Sequence, residues 1–219
     1  MVRTTGPAAA IAGIAPGVQS QGVWAGRRQL FVRFAAEAET AVLYTPEMLG
    51  RQMERVASQS PVHSIVLGGR DPLANDELIL ATLRLWTSPL PVMVECDGQR
   101  PRIVERVAEC VAMVQVTHDF TGGRAAQEQV IESLAAAARA GREHALVLAP
   151  GEETSDMEIL RLVRECDSAA PGTKIVVHPP AGAERGPLDR RYASLLEQAT
   201  GLHRDTRLVM RVPAPVGGR

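Results

Sequence analysis

The sequence predicts an α/β protein in which parallel strands form an open sheet and helices lie outside it. From residue 29 onward, short apolar runs alternate with amphipathic stretches. Continuous apolar runs are typical of strands buried on both faces, and parallel strands need helical crossovers between them. The runs are too few for a closed eight-stranded barrel. A partial (open) βα barrel and a doubly wound sheet both fit this pattern.

The predicted strands cover residues 30–34, 64–67, 92–95, 113–116, 145–148, 174–177 and 208–212. Three of the intervening helices carry clear end signals. One begins at Thr45, followed by Pro46 in the first turn. Another begins at Ser155, with Glu158 three residues on as a capping box. A third covers residues 125–140 and stops at Gly141.

Composition narrows the class of protein. Apolar residues make up 45% and aromatic residues only 3%, so the core must consist of Val, Leu, Ile and Ala. The net charge of −1 gives no electrostatic argument for binding nucleic acid or a membrane surface. Lys174 is the single lysine, and the excess of Arg, Ala, Gly and Pro suggests a GC-rich, bacterial genome.

The ends of the chain and its cysteines predict its organisation and location. Residues 1–17 are interpreted as a loose N-terminal arm, with a weak signal peptide as the alternative, and residues 18–219 as a single domain. Cys110 and Cys166 fall on helix faces as small core residues, while Cys96 follows a strand. Three widely spaced cysteines favour a reduced, cytoplasmic setting.

Polar residues follow most of the predicted strands, where parallel α/β folds bind their ligands. They are Arg33 and Glu37, then Gly68 to Pro72, Glu95 to Gly98, Thr117 to Asp119, and His178 to Pro180. Gln19, Gln21 and Gly22 precede the first of these strands.

The order of these motifs resembles the radical S-adenosylmethionine enzymes, and most closely the 7-carboxy-7-deazaguanine synthases. That family opens with Gln-Gly-Glu-Gly, three residues, a glycine, four residues and Phe-Val-Arg. Here Gln19 to Gly22, Gly26 and residues 31–33 keep the spacing. Gly68 to Pro72 stands for the family's Gly-Gly-Glu-Pro, and Glu95 to Gly98 for its Glu-Thr-Asn-Gly. The resemblance covers residues 17–120 and implies the partial βα barrel of the radical S-adenosylmethionine type.

The resemblance also shows what is missing. Family members hold a [4Fe–4S] cluster on three cysteines, leaving one iron for S-adenosylmethionine. The corresponding positions here are Glu37, Ala41 and Tyr44, and none of them is a cysteine. The resemblance therefore implies no cofactor, no metal and no reductive radical chemistry.

The ligand-binding residues that the resemblance implies each have a plainer interpretation. Under the first interpretation, Arg33 is a buried arginine that binds a substrate carboxylate. Under the second, it forms an ion pair with Glu95 or Asp97 at the end of the barrel. His118, Asp119 and His178 form a new metal or acid–base site, or they are solvated loop residues. The full set carried over from the family is Gln19, Gln21, Gly22, Arg33, Gly68, Gly69, Asp71 and Glu95.

Three functions are consistent with this sequence. The leading hypothesis is a non-catalytic pseudoenzyme that acts as a scaffold or regulatory subunit, as a homodimer or in a complex with another protein. Its contact surface would include the apolar residues Val42 and Leu43 of the former cluster loop. The alternatives are an enzyme with new acid–base chemistry on Glu37, Glu95, His118 or Asp119, and a module that binds S-adenosylmethionine or a deazapurine. No catalytic residue, nucleic-acid contact or membrane contact is predicted.

Overall fold

The chain forms one nine-stranded mixed sheet with six α-helices, seen in a computed structural model that describes residues 6–180 and 187–210. The strands are β1 (Ala9–Val18), β2 (Arg28–Phe34), β3 (Val42–Tyr44), β4 (Ile65–Gly69), β5 (Val92–Cys96), β6 (Met113–His118), β7 (Glu143–Leu148), β8 (Lys174–Val177) and β9 (Thr206–Leu208). The helices are α1 (Pro46–Gln59), α2 (Asp76–Leu85), α3 (Pro101–Ala108), α4 (Gly123–Arg139), α5 (Asp156–Ala169) and α6 (Pro187–Leu202). A 3-10 turn, Pro72–Asn75, precedes α2.

The strand order excludes a doubly wound sheet. The order is β3-β1-β2-β4-β5-β6-β7-β8-β9, and every pair from β2 to β9 is parallel. All six helices contribute to a single apolar core with alternate residues of these strands, such as Val32, Leu67 and Val94. The helices therefore lie on one face of an open sheet, whereas a doubly wound sheet reverses its order and carries helices on both faces.

The helix signals are confirmed where the sequence predicted them. The Thr45 hydroxyl accepts from the Met48 N–H at 3.4 Å, and Pro46 opens α1. The Ser155 hydroxyl accepts from the Glu158 N–H at 3.3 Å and begins α5. Gly141 follows α4 with φ of 68°, the left-handed conformation that ends many helices.

The prediction of a loose arm is wrong for residues 9–17. They belong to β1, which pairs antiparallel with β2 along most of its length and with β3 at Ala9–Ile11. Ala9 and Ile11 are buried. Gly13 and Pro16 made this strand hard to recognise in the sequence. Beyond Ile11, however, one side of β1 is an unpaired edge of the described sheet, and proline is tolerated at such an edge because no hydrogen bond is lost there. Residues 1–5 lie outside the described part of the chain.

The strands β2 and β4 to β8 coincide with predicted apolar runs to within a few residues, whereas no run predicted β3. The last prediction, 208–212, is confirmed only in part, since β9 ends at Leu208 and residues 211 and 212 are not described. Cys166 is buried as predicted, but Cys110 is exposed just after α3, so its assignment to the core is wrong.

The segment of residues 19–27 between β1 and β2, which we call the cover loop, lies across the face that carries no helices. Val23 and Trp24 pack on Val66, Met93 and Met113 of the neighbouring strands. The cover loop thus covers the amino-terminal parts of β4, β5 and β6 on this face and leaves a cleft open at their carboxyl ends. Among the described residues, no helix is long and apolar enough to cross a membrane.

Candidate functional site

A cleft of about 460 Å³ opens at the carboxyl ends of β4, β5 and β6. Its volume falls in the range of small-molecule sites. Polar groups dominate the walls, and they come from the cover loop, the turn after β4 and the end of β5. The lining residues are Gln21, Gly69, Arg70, Asp71, Pro72, Glu95, Cys96, Asp97 and Thr117.

Glu95 is held in one orientation by two glutamines. Its Oε1 accepts hydrogen bonds from Gln19 Nε2 and, at 2.8 Å, from Gln115 Nε2. The Val23 N–H donates to Gln115 Oε1 at 3.1 Å, so the amide nitrogen of Gln115 must face Glu95. Gln19 and Gln115 are themselves buried. Both lone pairs of Oε1 are therefore used, which leaves Oε2 as the oxygen available to a ligand.

The cover loop is fixed to the sheet by two backbone donors. The Gly22 N–H donates to His178 Nε2 at 2.8 Å, and the Val23 N–H donates to Gln115. Gly22 has φ of 80°, and a Cβ there would lie 2.1 Å from Gln115 Oε1. Only glycine allows the loop to approach Gln115 this closely.

The carboxylates of the cleft differ in their surroundings. Burial raises the pKa of Glu95, and the hydrogen bonds from Gln19 and Gln115 offset this only in part. Asp71 instead makes a bidentate ion pair with Arg100, with Nε–Oδ1 at 3.0 Å and Nη2–Oδ2 at 2.6 Å. Asp71 is therefore neutralised by the protein, whereas Glu95 has only neutral donors among the described bonds.

Cys96 lines the same cleft but is a poor nucleophile. Burial raises the pKa of its thiol to about 12, and the neighbouring Asp97, Glu95 and Asp71 add to this effect. The reactive thiolate is thus scarce at neutral pH.

Seven of the eight residues carried over from the family lie in or beside the cleft. Gln21, Gly69, Asp71 and Glu95 line it. Gln19 and Gly22 belong to the hydrogen-bonded network beneath it, and Gly68 lies beside Glu95, where a Cβ would be 3.2 Å from Oε2.

Arg33 differs from expectation. We expected a buried arginine that binds a carboxylate or pairs with Glu95 or Asp97. Its side chain is instead 53% exposed and pairs with Glu39. The alternation of β2 explains this result: Val32 and Phe34 enter the helix-covered core, and Arg33 points away from it beyond the end of the packed face.

The three residues His118, Asp119 and His178 do not form one site. Strand alternation places His118 on the helix-covered face, where its ring lies 5.0 Å from that of Phe120, while His178 contacts the cover loop on the other face. The alternative, that all three are solvated loop residues, holds for Asp119, which is exposed, and is wrong for His118 and His178, which are buried. Within the described ranges, no group of three or more His, Cys, Asp or Glu side chains is suited to a metal ion.

The positions that the resemblance assigns to cluster ligands do not fit an iron–sulfur cluster. Glu37 is exposed in a turn, Ala41 offers no ligand atom, and Tyr44 pairs with Ala9 in β3. A [4Fe–4S] cluster of this type requires three thiolates. The segment that the resemblance assigns to the cluster loop includes the edge strand β3.

Sequence reasoning missed Gln115, which fixes Glu95 and the cover loop together. The signal was present: a glutamine lies between Val114 and Val116 in the apolar part of β6, and no residue of that strand is more deeply buried. A buried polar side chain within a strand needs partners.

We expect Glu95→Gln to stabilise the protein at neutral pH and to have little effect near pH 4. The pKa of Glu95 is raised in the folded state, so its contribution to stability is full below the unfolded pKa and is lost as pH rises through the folded value. Thermal unfolding across this pH range measures the difference. A lower melting temperature of Glu95→Gln at neutral pH would contradict the expectation.

The comparisons with known proteins give no family for this chain. No protein-family model matches it, and no curated protein sequence matches it.

Proposed function

We propose that this protein binds a small molecule in the strand-end cleft and does so without radical chemistry. The observation that carries the proposal is the orientation of Glu95 by Gln19 and Gln115, within a polar cleft of about 460 Å³. A half-buried carboxylate without a cationic partner costs stability, and proteins accept such costs where function requires them. The cleft lies where parallel βα folds bind their ligands.

The resemblance to 7-carboxy-7-deazaguanine synthases supports the partial βα barrel of the radical S-adenosylmethionine type and suggests purine-like carboxylates and S-adenosylmethionine as first ligands to test. It does not support the family's reaction. Glu37, Ala41 and Tyr44 provide no thiolate for the cluster that must supply the electron. Binding, and regulation through binding, is the function that remains for the cleft.

Acid–base catalysis has weaker support. His118 is on the opposite face, Glu37 is in an exposed turn, and Asp71 is neutralised by Arg100. Glu95 and Asp97 remain as the acids of the cleft, and no histidine is among its described lining residues.

We expect Gly68→Val to weaken ligand binding at least about tenfold, because its side chain would fill the space beside Glu95 Oε2. Calorimetry with purine-like carboxylates and S-adenosylmethionine measures the affinity. Gly13→Val is the matched control, since a Cβ at Gly13 meets nothing within 4 Å. Equal affinities of Gly68→Val and the parent protein for a bound compound would show that the cleft is not its site.

A second candidate is assembly through β3, with a second copy of the chain as the default partner. Val42 and Leu43 are 57% and 59% exposed on this short edge strand, which no further described strand covers. Proteins usually protect such edges with charges, prolines or bulges. The three residues of β3 contain none of these.

Light scattering tests the assembly. We expect a dimer in the parent chain and a monomer in the double variant Val42→Arg, Leu43→Arg, because two added charges oppose burial of this edge. Met157→Arg is the control, as Met157 is an 81% exposed apolar residue on α5. A monomeric parent chain, alone and with any co-encoded protein, would remove this candidate.

A further inference from the structure

The charges of the cleft indicate which ligands it accepts. Its walls carry three carboxylates, Asp71, Glu95 and Asp97, against one arginine, Arg70. Arg100 neutralises Asp71 from outside the cleft lining. Arg70 is exposed, and no described hydrogen bond or ion pair joins it to Glu95. The negative charge at the inner wall of the cleft is therefore not balanced by the described side chains.

Glu95 presents this charge in a fixed direction. Because Oε1 already accepts from two amides, only Oε2 is open, and it faces the space that Gly68 leaves. The Gln115 amide cannot turn to offer its oxygen to the ligand, since the Val23 N–H already donates to that oxygen. An approaching group must donate a hydrogen bond to Oε2, and a cation does so most strongly.

We infer that the cleft selects a small organic cation with N–H donors, an amine or an amidine, which Glu95 binds through Oε2. The inference rests on the proposed ligand-binding function and names the class of ligand. A metal ion does not suit the position, because Glu95 offers one oxygen and no group of three metal-binding side chains occurs in the described part of the chain. An anion would have to approach Glu95, Asp97 and Asp71 at once.

Three probes of the same shape and different charge test the inference. Benzamidine is a cation, benzamide is neutral and benzoate is an anion. We would titrate each into isotope-labelled protein and follow the amide signals of Gln21, Gly69 and Thr117, which line the cleft. We expect benzamidine to bind at least about tenfold more tightly than benzamide, and benzoate to bind weakest.

Two variants distinguish the effect of the Glu95 carboxylate on binding from the effect of the net charge of the protein. In Glu95→Gln the preference for benzamidine over benzamide should disappear. In Glu54→Gln, which removes one charge from an exposed position on α1, the preference should remain. In the parent protein the affinity for benzamidine should also fall on acidification, starting above the usual range for a glutamate, because protons compete for the carboxylate.

The outcomes distinguish this inference from the proposed function. If benzamide or benzoate shifts the cleft signals at concentrations as low as benzamidine does, the cleft binds ligands but does not select cations, and the inference is wrong while the proposed function stands. A preference for benzamidine that survives in Glu95→Gln also overturns it. If none of the three probes shifts the cleft signals, the inference is wrong, and the tests with purine-like carboxylates and S-adenosylmethionine decide the proposed function.

Discussion

Replacing Gly69 by alanine is expected to lower the free energy of unfolding by about 3 kcal/mol, from backbone strain and steric overlap together. Gly69 ends β4 with φ of 97°, a conformation that side chains rarely adopt. A Cβ there would lie 2.5 Å from the carbonyl oxygen of Phe34 and 2.8 Å from its nitrogen. These are backbone atoms of the paired strand β2, so they cannot move aside as a flexible side chain would.

Urea unfolding of Gly69→Ala measures this loss, and Gly50→Ala is its control. Gly50 lies inside α1, and a Cβ there meets nothing within 4 Å. The control should gain about 0.5 to 1 kcal/mol, because alanine favours a helix interior over glycine. If both variants unfold at the same urea concentration as the parent chain, the backbone conformation at position 69 does not require glycine.

Replacing Gln115 by methionine is expected to cost about 2–4 kcal/mol, since two buried polar groups each lose a partner. The side chain keeps nearly the same length, so packing changes little. The Val23 N–H loses its acceptor, and Glu95 loses one of its two donors. The cover loop should detach from β6 as a result.

A double-mutant cycle with Glu95→Gln isolates the contact between the two side chains. The cost of Gln115→Met should be smaller in the Glu95→Gln background, because no carboxylate is then left with one donor. It should also shrink toward acidic pH in the parent background, as Glu95 takes up a proton and needs fewer donors. A cost that is the same in both backgrounds and at every pH would show that Gln115 acts through packing alone.

The alternating parallel strands and helices could be predicted from the sequence, because buried parallel strands are continuous apolar runs. In β5, consecutive side chains alternate between the two faces of the sheet, and Val92, Met93 and Val94 are all buried. Such an uninterrupted apolar run is typical of a strand that is buried on both faces. The helix starts at Thr45 and Ser155 were equally clear, since each needs only a local hydrogen bond.

The edge strands β1 and β3 could not be predicted from the sequence, for a physical reason. β1 and β3 are held by pairing with distant residues, and their own sequences contain glycine, proline and alanine without a strong strand preference. The same limit applies to the cleft. Glu95 and Gly69, which the strand ends indicated, line the cleft, but the role of Gln115 depends on a loop 92 residues earlier in the chain. Arg33 was misjudged because a strand position does not show where the packed face ends.

The bond between Gly22 and His178 joins residues 156 positions apart in the chain. Closing so long a span is entropically costly, and contacts of this kind form late in folding. During synthesis, the cover loop leaves the ribosome long before β8, so we expect its contacts with Glu95 and Gln115 to form before its bond to His178. We therefore expect the cleft, whose wall includes Gln21 of the cover loop, to be complete only in the fully folded protein.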